Sequence, residues 1–306
     1  MKRMWRGFFD SDLVYHFKRD KVAMVSFSIL LTLVLISFSA PLTAPFDPYD
    51  PLQIDIMDSD IPPTWSDNGD ERFLVGTDAQ GRDMLSAMMY GTRISIVIGL
   101  FAVALQLVIG ITLGLLAGYV GGRVDAFLMR VADIQLSFST LMVAIVVLAI
   151  FQASLGADLY SEYAIFMLIM VIGIAEWPQY ARTVRASVLA EKEKEYVDAV
   201  RVIGFGPLRI MFRHILPNTL SPILVISTVQ VANAIMNEAA LSFLGLGMPV
   251  NRPSLGSLIN SGFEYMLSGS WWITFFPAMV LILLILVINL LGDWLRDVLN
   301  PKLYKG

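Results

Sequence analysis

Three side-chain amides and one carboxylate punctuate the largely apolar stretch of residues 220–245: Gln230, Asn233, Asn237 and Glu238. Gln230, Asn233 and Asn237 recur at i, i+3 and i+7, which makes them one stripe on a helix. A side-chain amide donates and accepts, so the stripe can exchange hydrogen bonds with an amide-bearing solute or bond neighbouring helices together. Polar groups in hydrocarbon are costly and face protein or water, and Gln106 joins this group on a separate apolar run. Glu238 offers either a counter-charge for a solute's ammonium group or an acceptor for an adjacent turn.

Catalysis finds little support. Glu238 has no evident acidic partner, and Asp133 lies near the end of another apolar run. The chain has no cysteine, and its two histidines, His16 and His214, are far apart, so neither thiol nor metal chemistry is expected. No catalytic residue and no metal ligand is assigned. Asp78 and Asp83 sit beside glycines without the ligand alternation of a calcium loop, and a turn leading into an interfacial helix is the simpler reading. No segment fits GxxxxGK[ST], and Gly204-Phe205-Gly206 lacks the strand that would give a glycine pair meaning, so the chain is expected to bind no cofactor and to hydrolyse no ATP.

The elements that position these residues follow from hydropathy. Of the 306 residues 56% are apolar, and the mean hydropathy is +0.67, too high for a soluble domain of this size. A crossing helix needs about 20 apolar residues, because backbone polar groups find no water in the bilayer. Residues 22–40, 94–120, 131–151, 220–245 and 271–291 qualify directly, and residues 159–177, followed by Pro178, make a shorter sixth candidate. The first run is long enough to span and follows 21 leading residues, so it is read as a span and not as a cleaved leader.

Charge decides the count. With six spans and both termini cytoplasmic, 18 of the 22 Lys and Arg fall on the inner side, leaving only Arg72, Arg82, Arg93 and Arg252 outside. Without the span at 159–177, the seven basic residues of segment 178–219 would lie outside. The reading is therefore an all-α membrane protein: cytoplasmic residues 1–21, a first span at 22–40, an extracytoplasmic loop at 41–91, a five-helix core at 92–292 and a cytoplasmic tail at 293–306. The loop 41–91 is acidic, with nine Asp and one Glu against two Arg.

Residues 196–218, within the cytoplasmic segment 178–219, are polar between two apolar runs. Tyr196, Val200 and Ile203 share one helical face, and Leu208, Met211, Phe212 and Ile215 follow i, i+3, i+4, i+7, implying two short amphipathic helices. Gly204 and Gly206-Pro207 separate them, and Pro217 suits the entry to the next span. Basic amphipathic segments also lie on lipid, and that alternative stands on this evidence. Residues 191–195 alternate acid and base, as on a solvated helix face. Gly110, Gly114 and Gly118, spaced by four, present a small-residue face on which another helix can pack closely, either statically or as a sliding surface.

Ala199, Gly204 and, twelve residues after that glycine, Leu216-Pro217 resemble the "EAA" loop by which membrane subunits of ATP-binding-cassette (ABC) importers engage their ATPases. Further blocks at residues 76–93, 118–134, 180–185, 213–218, 238–247 and 292–301 resemble, in order, the permeases of dipeptide and oligopeptide importers. Asp198 and Val200 replace the usual Glu and second Ala of the loop, Ala87 a frequent Arg, and Asn300 a frequent Asp. The resemblance implies the type I ABC importer permease fold in a bacterial inner membrane. It also implies a second related permease, two ATPase subunits that use ATP and Mg, an extracytoplasmic solute-binding protein, a peptide substrate and no nucleic acid. By the same resemblance Tyr196, Asp198, Ala199, Val200, Gly204, Phe205, Leu208, Arg209, Leu216 and Pro217 are the expected docking residues. Nickel or other metal chelates and opine-like solutes are the alternative cargo. A secondary transporter is the more distant reading, since no inverted repeat is visible.

Overall fold

In the structure, a computed structural model, residues 12–50 and 52–299 are described. Asn300 and parts of the expected terminal segments lie outside them. Among the described residues the elements are helical, apart from a single bridge between Thr77 and Asp83. The chain forms two compact units, Ile94–Arg252 and the residues on either side of it.

The flanking unit begins with α1 (Asp12–Arg19) and α2 (Lys21–Thr43). Asp20 caps α2, its Oδ1 accepting from the amides of Val22 and Ala23 at 2.9 and 3.0 Å. Ser28 and Thr32 return their hydroxyls to the carbonyls of Met24 and Ser28, which satisfies those polar groups in an apolar helix. After an irregular segment, α3 (Met84–Val120) starts in this unit and continues into the other. Asp83 opens it by accepting from the Ser86 amide at 2.8 Å. The unit closes with α10 (Leu255–Tyr265), headed by a Ser254–Ser257 capping box, and α11 (Trp272–Val298). Its core joins Val75, Met84 and Met88 to Leu258, Trp272 and Ile273. The Trp272 indole N–H donates to the Thr77 carbonyl at 3.0 Å, which pins the irregular segment to the head of α11.

The central unit contains the rest of α3, α4 (Gly122–Leu136), α5 (Thr140–Ala175) and α6 (Trp177–Glu191). It continues through α7 (Glu195–Val202), α8 (Pro207–Ile210) and α9 (Leu220–Phe243). Between α8 and α9 the chain stays helical through a π turn, Met211–Ile215, and a 3-10 turn, Leu216–Thr219. Pro217 therefore sits inside one long helical run, Pro207–Phe243, and not at a break.

Residues 131–151, expected as one helix, are divided. The chain turns by 81° between α4 and the next helix, with Ser137–Ser139 between them. Asp125 and Asp133 of α4 pair with Arg185 and Arg182 of α6, which fastens α4 along that helix. α5 is itself broken at Gly156, whose φ of 74° suits glycine, and its two arms line one apolar crevice through Val147, Phe151, Phe166 and Met170. The second arm and α6 meet at 42° around Glu176, with Pro178 in the first turn of α6. Among the described residues four helices are long and apolar enough to cross a membrane, or up to six if each bent pair is one span.

Candidate functional site

Two groups of expected site residues, one in the loop after α6 and one on α9, acquire distinct surroundings in the central unit. In the loop, α7 is capped by Ile203 and followed by Gly204, whose φ is 90°. The Gly204 amide bonds the Arg201 carbonyl at 2.9 Å and the Phe205 amide bonds the Val200 carbonyl at 3.3 Å, which is a Schellman stop. Pro207 then starts α8. The tip stands off the body of the unit: Val202 is 89% exposed, Ile203 68% and Leu208 66%.

Beneath the tip, Val197, Ile210, Met211 and Ile215 are buried. The expected apolar face of Leu208, Met211, Phe212 and Ile215 is thus split, with Met211 and Ile215 inside while Leu208 and Phe212 face outward. Tyr196 ties the base together. Its hydroxyl donates to Glu191 Oε2 at 2.7 Å and accepts from Asn218 Nδ2 at 3.0 Å. Burial, followed by the bond to the Glu191 carboxylate, holds the Tyr196 hydroxyl above its ordinary pKa, so it remains a donor. Arg209 lies over the Phe205 ring at 4.1 Å, and that ring stacks on His214. Asp198 and Ala199 are exposed, Asp198 pairing with Arg201 at 3.0 Å, and Val200 and Leu216 are half-buried. Pro217 is exposed.

On α9 the polar stripe divides. Gln230 is buried and accepts from Asn233 Nδ2 at 2.9 Å, while Asn233 and Asn237 are half-buried. Glu238 has no exposure at all. Its Oε2 accepts from Ser95 Oγ at 2.8 Å and its Oε1 from Ser242 Oγ at 2.7 Å, and Ser242 Oγ in turn accepts from the Met248 amide at 3.0 Å. The turn after α9 repeats the stop seen at Gly204, with the amides of Gly245 and Leu246 bonded to the carbonyls of Ser242 and Leu241. The Tyr160 hydroxyl donates to the Leu246 carbonyl at 2.6 Å. Of the two readings of Glu238, this geometry fits an acceptor for the adjacent turn.

Residues 110–305 match the family model described as "binding-protein-dependent transport system inner membrane component". The chain belongs to this family. Residues 1–63 match the model of the N-terminal TM domain of oligopeptide transport permease C. The chain is 38% identical over 289 residues to the dipeptide transport system permease protein DppC of Haemophilus influenzae, covering 94% of this chain and 93% of that protein. It is 39% identical over 303 residues to the di/tripeptide transport system permease protein DppC of Pseudomonas aeruginosa, covering 99% and 92%. The oligopeptide transport system permease protein OppC of Bacillus subtilis is 36% identical over 294 residues, covering 96% and 90%. A chain of the inward-facing MetNI methionine ABC transporter shares the fold at a TM-score of 0.55 and 19% identity, covering 71% of this chain and 98% of that one. The expected fold class, an all-α type I ABC permease, is the observed one.

This inner membrane component is a multi-pass membrane protein whose central unit is knit by the glycine face of α3. A Cβ on Gly110 would lie 2.3 Å from the Tyr180 Cβ, one on Gly114 2.7 Å from the Ala181 carbonyl oxygen, and one on Gly118 2.8 Å from the Val188 Cβ. All three therefore admit the backbone of α6 at a distance that no larger residue allows. Lys192, at the end of α6, donates to the Gly118 carbonyl at 3.1 Å. The loop thus hangs from a helix clamped to α3 by glycines and to α4 by two ion pairs. Sequence reasoning missed Ser95, which meets Glu238 across 143 residues, and the outward display of Val202. Neither carries a local signal, because both depend on which faces the folded chain covers.

Proposed function

We propose that the chain is the permease subunit of an ATP-driven, binding-protein-dependent importer of dipeptides or oligopeptides. The observation that carries this reading is likeness over nearly the whole chain to relatives named as dipeptide and oligopeptide permeases. In this reading the chain is a transport subunit without an ATPase site of its own. It works beside a second, related permease, above two ATPase subunits that use ATP and Mg, and receives cargo from an extracytoplasmic solute-binding protein. Both termini and segment 178–219 face the cytoplasm, and loop 41–91 faces outward, as the distribution of Lys and Arg favours.

The ATPase contact is assigned to the tip formed by Gly204, Phe205, Leu208 and Arg209, with Val202 and Ile203 added. Tyr196, Val200, Leu216 and Pro217 brace it, and Asp198 and Ala199 lie on its flank. The support is physical: exposed apolar side chains next to a rigid helix stop form a handle through which closure of a partner can move α6 and α9 as bodies. Asn233 and Asn237, half-buried on α9, are proposed to line the pathway, with Gln230 orienting Asn233. Glu238 supports the outer turn from within.

The experiment is purification of the tagged chain in mild detergent with its companions, followed by reconstitution in liposomes with the purified solute-binding protein. ATP-dependent uptake of a labelled dipeptide, lost when the partner ATPases are omitted, is expected. Uptake of a nickel chelate in place of peptide would move the assignment to the alternative cargo. Uptake driven by a proton gradient without ATPases would replace the importer with a secondary transporter.

A further inference from the structure

Helix α4 carries an apolar stripe that its own unit leaves bare. Val124, Phe127, Val131 and Ile134, with Phe138 just beyond the helix end, are spaced three and four residues apart and so share one side of it. All are exposed, Phe127 by 68% and Phe138 by 61%. The opposite side is spent on α6. Ala132 is buried in a cluster with Trp177 and Ala181, and Asp125 and Asp133 pair with Arg185 and Arg182.

Those ion pairs also fix the charge of the bare side. They use both acids of α4, whereas its two bases, Arg123 and Arg130, are exposed and make no ion pair among the described residues. Seven residues apart, the two arginines follow one edge of the stripe. The helix therefore presents an apolar band with a positive margin.

The bend sets how this band is held. Since α4 stands at 81° to the first arm of α5, Thr140–Gly156, an arm that crosses the bilayer keeps α4 near the membrane plane. Pairing with Arg182 and Arg185 puts it on the side of segment 178–219, the cytoplasmic side in the reading above. An in-plane helix with an apolar face and basic residues beside it belongs in the interface, and the cytoplasmic leaflet carries anionic headgroups.

Room for a hydrocarbon chain lies alongside. Gln135, at the other edge of the stripe, also lines the crevice between the arms of α5, a cavity of about 530 Å³. Its side-chain N–H group is spent on the Ile174 and Ala175 carbonyls at 3.0 and 3.3 Å, and the other polar residue of the lining is Tyr163. A peptide in this crevice would leave amide groups without partners, a cost that an alkyl chain does not meet.

We propose that α4 is an interfacial helix that binds an anionic phospholipid, with Arg123 and Arg130 at the headgroup phosphate and an acyl chain passing over Phe127 and Val131 into the crevice of α5. This rests on the orientation given in the importer reading above.

The test uses the whole transporter, purified in mild detergent and titrated with phosphatidylglycerol or phosphatidylcholine, with bound lipid counted by native mass spectrometry. The unaltered transporter is expected to hold phosphatidylglycerol on the order of tenfold more tightly, and Arg123→Gln/Arg130→Gln to lose most of that preference. Arg252→Gln, which removes an exposed arginine on the outer side, should keep it. A double variant with the full preference overturns the proposal. A second measurement leaves the arginines in place and attaches a benzophenone at Phe127→Cys in phosphatidylglycerol nanodiscs. Photo-cross-linking to lipid supports the proposal, and cross-linking to the second permease in place of lipid overturns it. Orientation is read separately with Arg123→Cys in intact cells, in a chain that has no other cysteine. Labelling by an impermeant external thiol reagent overturns the orientation and the lipid site with it, whereas shielding combined with an unchanged lipid preference in the double variant removes the site alone.

Discussion

The hydroxyl of Ser95 on α3 donates to the carboxylate of Glu238 on α9 at 2.8 Å, joining two helices at a point where neither side chain reaches solvent. Removing the donor takes one hydrogen bond from a buried carboxylate, which costs about 1–3 kcal/mol. Ser95→Ala is expected to lower the melting temperature of the purified transporter by several degrees. Glu238→Gln, which keeps an acceptor, should be milder. In both variants, uptake of free-amine and amine-blocked dipeptides should fall equally. A selective loss for the free amine would assign Glu238 to cargo.

Gly114 faces Val184 with a prospective Cβ–Cβ distance of 2.7 Å. Overpacking of this kind costs about 1–3 kcal/mol. Gly114→Ala should destabilise the transporter in thermal melts, and Gly114→Leu should prevent its assembly. A Val184→Ala change made together with Gly114→Ala should recover part of the loss. Additive destabilisation in the double variant would show that the two helices do not meet as described.

Gly204 has open space around it, but its φ of 90° suits only glycine and, with strain, asparagine. Gly204→Val therefore acts through the backbone, at about 1–3 kcal/mol of local strain. The variant should reach the membrane in normal amounts yet hydrolyse ATP without matching uptake, and Gly204→Asn should retain more coupling. Normal coupled uptake by the valine variant would remove the tip from the docking surface.

Asp60 combines a φ of 57° with a buried Oδ1 that has no hydrogen-bond partner among the described residues. Burial, followed by the nearby Asp78 carboxylate, raises its pKa above the ordinary carboxylate value. Because the folded value lies above the unfolded one, its favourable contribution is full below the ordinary carboxylate range and is lost as pH rises through the raised value. Asp60→Asn keeps the left-handed backbone and removes the charge. The variant should melt at or above the wild-type temperature at pH 7, and the difference should shrink toward pH 4. An unchanged difference across that range would discount the charge.

Much of the architecture was legible in the chain itself. Long apolar runs have one answer in a bilayer, because a helix alone satisfies its own backbone there, and the skew of Lys and Arg indicates a topology for them. The glycines at 110, 114 and 118 announced a close helix approach, and Gly204 with Pro207 marked the break in the loop, since each of these residues acts through its own backbone or its own lack of bulk.

What only the tertiary structure decided were the partners. The spacing of Gly110, Gly114 and Gly118 could not name α6 as the helix that fills their groove. Hydropathy read residues 131–151 as one helix, whereas the chain turns by 81° within them, and Asp125 and Asp133 pair with two arginines some fifty residues or more away. Helical periodicity grouped Leu208 and Phe212 with Met211 and Ile215, yet one pair is outside and the other inside. Glu238 stood open to a cargo contact or to an acceptor role for the adjacent turn, with the second preferred, and only the fold brings Ser95 and Ser242 against it. Local pattern reports the period of a helix and the tolerance of its backbone; which face is covered, and by what, is set by contacts between residues far apart in the chain.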